Sequence, residues 1–150
     1  MAWNPVLKTK SLLGKRRAGQ SLVEAIVAVG IAILVITGLV VLAVGAVRTA
    51  TLSRNRSLAV QYGQEGVEAL RSIRDRDYTE LPASGGPYRV VWTGTEWDTL
   101  AGTESVEIFT RSFTVSEPTP GKLRFDLAVT WTDSAGDHDV TLSTYLADWR

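Results

Sequence analysis

Glu24 is the residue whose position most demands a chemical explanation. It stands at the N-terminal edge of an uncharged run from Ala25 to Val47, directly after Ser21, Leu22 and Val23. As a helix, that run of about 23 residues would reach roughly 34 Å at about 1.5 Å per residue, enough to cross a hydrocarbon layer of about 30 Å. An unpaired carboxylate at the centre of such a layer costs on the order of 2.5–3.5 kcal/mol, and less near the edge, so Glu24 calls for a partner. The second concentration of reactive types is the sole histidine, His138, with Asp133, Asp137 and Asp139 nearby. Clustered carboxylates suit a hard cation such as calcium. These acids lack the alternate spacing and later Glu of an EF-hand loop, however, and a solvated polar turn is the expected reading.

Other chemistry is excluded by what is missing. One histidine cannot define a Ser-His-Asp set, and no glycine-rich loop of the phosphate- or dinucleotide-binding type is present. Without a convergent set of reactive groups the chain does not read as an enzyme, and nothing indicates a cofactor or a resident metal. Cysteine is absent, so neither a disulfide nor a thiol site can form.

The 16 basic and 16 acidic residues balance, but their distribution is uneven. Residues 1–19 hold Lys8, Lys10, Lys15, Arg16 and Arg17 with no acid, so the remainder carries 11 bases against 16 acids. Bases on that side of the span imply that residues 1–19 face the cytoplasm and everything after Val47 lies outside. An acidic exterior offers nucleic acid no general footprint.

The phrase Lys15-Arg16-Arg17-Ala18-Gly19-Gln20-Ser21-Leu22-Val23-Glu24, followed by about twenty apolar residues, resembles the class III signal of type IV prepilins and secretion pseudopilins. The resemblance implies cleavage between Gly19 and Gln20 by a prepilin peptidase at the cytoplasmic face, then methylation of the new N-terminus on Gln20. It also implies that Glu24 acts in assembly by neutralising the N-terminal amine of a neighbouring subunit. Gln20 stands where the family most often has Phe. By the same resemblance the protein would be a minor pilin of a type IV pilus-like fibre. It would wait in the cytoplasmic membrane and be incorporated by an inner-membrane assembly platform alongside other pilin subunits. A pseudopilin of a type II secretion or DNA-uptake machine would share this processing. Three further readings compete: a membrane-anchored binding module that never polymerises, a plain signal anchor, and a secretory signal cut near Val44-Gly45-Ala46.

The rest of the chain supplies the elements that would position these residues. Gly30, Gly38 and Gly45 recur near one helix face, where small residues permit close helix approach. Beyond Arg48, the residues Ala59, Tyr62, Gly63, Gly66, Val67, Leu70 and Ile73 recur at steps of three and four, predicting one buried face of a helix that continues to Arg76. Glu68, Arg71, Asp75 and Arg76 fall largely on the opposite side, spaced for ion pairs. Pro82 ends the helical segment and Ala83–Pro87 forms a link.

From Tyr88 the period changes to two. It predicts strands over Tyr88–Thr93, Val106–Val115, Leu123–Thr132 and Asp139–Leu146, with a bulge near Thr110 and Gly94–Gly102 as an exposed connection. The third and fourth strands should form a hairpin bracketed by Trp131 and Trp149. The expected fold is α+β and pilin-like, a long N-terminal helix packed on a four-stranded antiparallel sheet. Its segments are a leader (1–19), a membrane and assembly helix (20–47), the outer half of the helix (48–81) and a sheet head (82–150).

Overall fold

The computed structural model describes Met1 and residues 17–148, with side chains from Ser21 onward. Trp149 therefore lies outside the described residues, as does most of the expected leader. The chain divides into two units, Met1–Thr49 and Ala50–Arg150. Helix α1 (Arg17–Arg76) contributes to both. No proline interrupts it, and Arg74 and Arg76 in its last turn complement the negative end of the helix dipole.

In the first unit, every residue from Ser21 to Thr49 is exposed. The second unit is a layer of helix on a layer of antiparallel sheet. The helix stops where Asp77 turns extended (φ −154°, ψ 116°). There the Asp77 carboxylate accepts the Thr79 N–H at 2.9 Å, starting a short 3-10 turn over Tyr78–Glu80. Leu81, at ψ 138°, then has the extended geometry that Pro82 imposes on its predecessor.

The sheet has six strands where four are expected: β1 (Gly85–Trp92), β2 (Trp97–Ala101), β3 (Glu104–Val106), β4 (Phe109–Thr119), β5 (Lys122–Asp133) and β6 (Gly136–Ala147). They run in the order β2-β1-β4-β5-β6, with β3 also paired to β4, and every pairing is antiparallel. Two corrections account for the extra strands. The expected connection Gly94–Gly102 contains β2, which pairs with β1 from Tyr88↔Ala101 to Trp92↔Trp97. The Trp92 and Trp97 rings meet edge to face at 5.4 Å, an apolar cross-strand pair that holds this short strand. The expected strand Val106–Val115 is two strands, β3 and β4, joined by a tight turn at Glu107-Ile108. The parity change that suggests a bulge near Thr110 is this turn, with Glu107 in the left-handed region at φ 54°. The expected link Ala83–Pro87 is shorter as well, because β1 begins at Gly85.

Alternation along β5 holds throughout: Leu123, Phe125, Leu127, Val129 and Trp131 are buried, each at 4% exposure or less. They face Ala59, Val67, Ala69, Leu70 and Ile73 of α1. Gly63 and Gly66 let the layers approach. A Cβ at Gly66 would lie 2.6 Å from Leu127 Cδ2, and one at Gly63 would press still closer on Leu142 Cδ1. The core forms two clusters, a larger one around Phe113, Phe125 and Leu70 and a smaller one around Ala59, Phe109, Val129 and Trp131. Arg111 occurs between Phe109 and Phe113 on the inward-facing phase of β4.

Candidate functional site

The apolar segment and Glu24 form the first candidate. Its most apolar stretch reaches a mean hydropathy of 3.0 with none of it buried, and α1 is long and apolar enough to cross a membrane. Soluble monomers rarely expose contiguous apolar patches beyond a few hundred Å². The helix over Ser21–Thr49, bare on all sides, is such a patch and is compatible with a membrane anchor or a signal segment. Its hydroxyls suit such surroundings, since the side chains of Thr37 and Thr49 donate back to the carbonyls of Ile33 (2.8 Å) and Gly45 (3.0 Å). A Cβ on Gly30, Gly38 or Gly45 would meet nothing within 4 Å, so each leaves an open notch.

Gly19 and Gln20 lie in the first turn of α1, and their side chains are outside the described ones. Glu24 follows one turn later, exposed, with no partner among the described residues.

The second candidate is the hairpin joining β5 and β6, closed by the pair Asp133↔Gly136. The Asp133 carboxylate accepts the Ala135 N–H at 2.7 Å and meets His138 Nε2 at 3.0 Å. The Ala135 amide, and after it His138, hold the Asp133 carboxyl below the usual carboxylate range. Asp137 accepts from the Thr132 hydroxyl at 2.7 Å. The carboxylates thus order their own turn, and no group of three His, Cys, Asp or Glu among the described residues is arranged to hold a metal ion. The His138 ring stacks on Trp131, with centroids 5.2 Å apart and planes 23° apart. Trp131 is in turn packed against Phe109.

Arg111 is the residue that reading the sequence misses. It is only 3% exposed, the one buried charged residue among the described residues. Its guanidinium donates to the Tyr62 carbonyl of α1 at 2.8 Å and, through Nε (3.0 Å) and Nη2 (2.6 Å), to Glu104 of β3. Glu65 lies 3.7 Å away. This cluster fastens helix, β3 and β4 together at the boundary between the two apolar clusters. Its signal in the sequence is phase, because Arg111 shares the parity of Phe109 and Phe113.

Of the ion pairs expected on the outer helix surface, Glu68–Arg71 forms at the expected spacing. Asp75 instead meets its neighbour Arg74 at 2.7 Å, and Arg76 reaches past the helix end to Glu80 and, at 3.1 Å, to Glu96. The hydrogen bond to Glu80 raises the Arg76 pKa. Burial, and then Glu117 and Asp148, push the Tyr78 hydroxyl up.

A scan against protein-family models, a search of curated proteins and a search of solved structures each found no match.

Proposed function

We propose that this chain is a type IV pilin-like subunit, a minor pilin of a pilus-like fibre, inserted once in the cytoplasmic membrane with residues 1–19 inside and the sheet head outside. The observation that carries this reading is the fully uncovered apolar helix with a single carboxylate, Glu24, near its N-terminal edge. An apolar helix alone needs only lipid. A carboxylate in that setting needs a cation as well. A neighbouring subunit cleaved between Gly19 and Gln20 supplies one in its new N-terminal amine. The glycine notches at residues 30, 38 and 45 favour close helix approach within such a bundle. Methylation of Gln20 by the prepilin peptidase would leave a basic secondary amine and so preserve the charge that pairs with Glu24.

The test is the N-terminal mass of the protein recovered from its native membrane or from sheared fibres. The expected chain begins at Gln20; a start at Met1 or near Val47 refutes the reading. Glu24→Ala should then abolish incorporation into fibres while membrane insertion is unchanged. Normal incorporation of that variant would remove Glu24 from assembly.

A further inference from the structure

The two edges of the sheet are finished differently. At one edge, β2 is only five residues long, and groups along its backbone are occupied by side chains. The Trp97 carbonyl accepts from Arg76 at 2.9 Å and the Thr99 N–H donates to Asp98 at 2.6 Å. Beside it, β3 has three residues and its Glu104 is engaged by Arg111. These are the devices by which proteins blunt sheet edges against adventitious pairing.

At the other edge, β6 is twelve residues long and pairs only with β5 among the described residues. Its register runs from Lys122↔Ala147 to Asp133↔Gly136 without a shift, so no bulge turns it away. From Val140 to Leu146 it reads Val-Thr-Leu-Ser-Thr-Tyr-Leu, uncharged, without proline and rich in strand-forming residues. Counting antiparallel alternation from the two-residue turn, the backbone groups of Thr141, Ser143 and Tyr145 point away from β5. A groove of about 420 Å³ runs alongside, lined by Gln64, Val67, Glu68 and Arg71 of α1 and by Leu142–Thr144 of β6. It can take the inward side chains of an added strand.

We propose that the β6 edge docks an extended polypeptide strand of a different protein, an uncharged strand-forming segment with a basic residue at the end that lies beside Asp137 and Asp139. Strand addition of this kind draws affinity from main-chain bonds and specificity from alternate side chains. Two exposed acids, Asp137 and Asp139, stand at the turn end of the edge against one, Asp148, beyond its other end, and none interrupts the middle, which sets where the basic residue belongs.

A second copy of this chain is the other conceivable occupant, and charge argues against it. From Gly136 to Ala147 β6 holds Asp137 and Asp139 and no Lys or Arg, so a second β6 would bring no base to those acids. This choice of occupant does not rest on the proposed function.

The test uses the full-length chain in detergent micelles and a fluorescent synthetic peptide of alternating valine and threonine with two lysines at its C-terminal end. An antiparallel strand would place those lysines beside Asp137 and Asp139. Binding is followed by anisotropy, and amide hydrogen exchange is read residue by residue. The expected result is saturable binding with slowed exchange at Thr141, Ser143 and Tyr145 and none at Thr99 or Ala101, whose amides lie on the outer side of β2. A peptide with a central proline should not bind. Asp137→Lys combined with Asp139→Lys, at exposed positions that leave the core intact, should weaken binding by about two- to thirtyfold, the range for two exposed charge pairs. Thr141→Lys, which imitates a blunted edge, should weaken it as well. Absence of binding, or equal protection of β2, overturns the proposal. So does concentration-dependent protection of β6 without peptide, because the occupant would then be a second copy. An N-terminus that does not begin at Gln20 would defeat the pilin reading and leave these exchange results unaffected.

Discussion

Removing Glu104 should destabilise the head more than removing the buried arginine it pairs with. In Glu104→Ala, Arg111 remains at 3% exposure, keeping the Tyr62 carbonyl at 2.8 Å and Glu65 at 3.7 Å while losing both bonds to Glu104. Breaking a buried pair from one side costs about 3–5 kcal/mol. The Glu104 side chain is 27% exposed and the guanidinium keeps one strong acceptor, so the expected loss lies near roughly 2–3 kcal/mol. Arg111→Met removes the charge instead and fills the space with an apolar chain of similar length. Glu104 then turns towards water, and the Tyr62 carbonyl keeps its helical surroundings, so the expected change is within about 1 kcal/mol. The double variant should resemble Arg111→Met, because Glu104 has no buried cation left to neutralise. Urea denaturation of the full chain in micelles, followed by fluorescence of Trp92, Trp97 and Trp131, reads all three. With a slope of about 1–3 kcal/mol per M, Glu104→Ala should lower the midpoint by roughly 1–2 M. If Arg111→Met proves the more damaging change, or Glu104→Ala is neutral, the charge-balance argument for this cluster is wrong.

Gly66→Ala should destabilise by about 1–2 kcal/mol, since the new methyl would sit 2.6 Å from a methyl of fully buried Leu127 and helix propensity returns only about 1 kcal/mol. Gly63→Ala should be close to neutral despite its shorter contact, because half-buried Leu142 on the edge strand can rotate away; thermal melts of the two variants check the order. Asp133, with its folded-state pKa depressed, adds hairpin stability that is complete above the ordinary carboxylate value near 3.8 and lost as pH falls through the lower folded value. Asp133→Asn should abolish that acid-dependent loosening in an NMR titration of the Ala135 and Gly136 amides, and identical acid limbs in both proteins would refute it.

What the sequence makes legible and what it hides divide along one physical line. The apolar run, the helical face from Ala59 to Ile73 and the alternation of β5 are each carried by a period within one segment, and each appears in the structure where the period places it. β2 is hidden because five residues between glycines are too few to show alternation. Its stability comes from Trp92 on the neighbouring strand and from Arg76, 21 positions from Trp97. The turn at Glu107-Ile108 is hidden because a parity change alone does not distinguish a bulge from a hairpin. Arg111 is hidden for the same reason as β2, since its carbonyl partner Tyr62 is 49 positions away.

Glu24 and Arg111 pose one electrostatic problem in two settings. Arg111 lies between apolar clusters and is neutralised within its own chain, by Glu104 at 2.6 Å. Glu24 lies on an apolar helix with no partner among the described residues. A charge is tolerated in an apolar layer only when something compensates it. The fold meets that condition for Arg111 within its own chain; for Glu24 no described residue meets it, and under the proposed assembly the cation is the N-terminal amine of a neighbouring subunit.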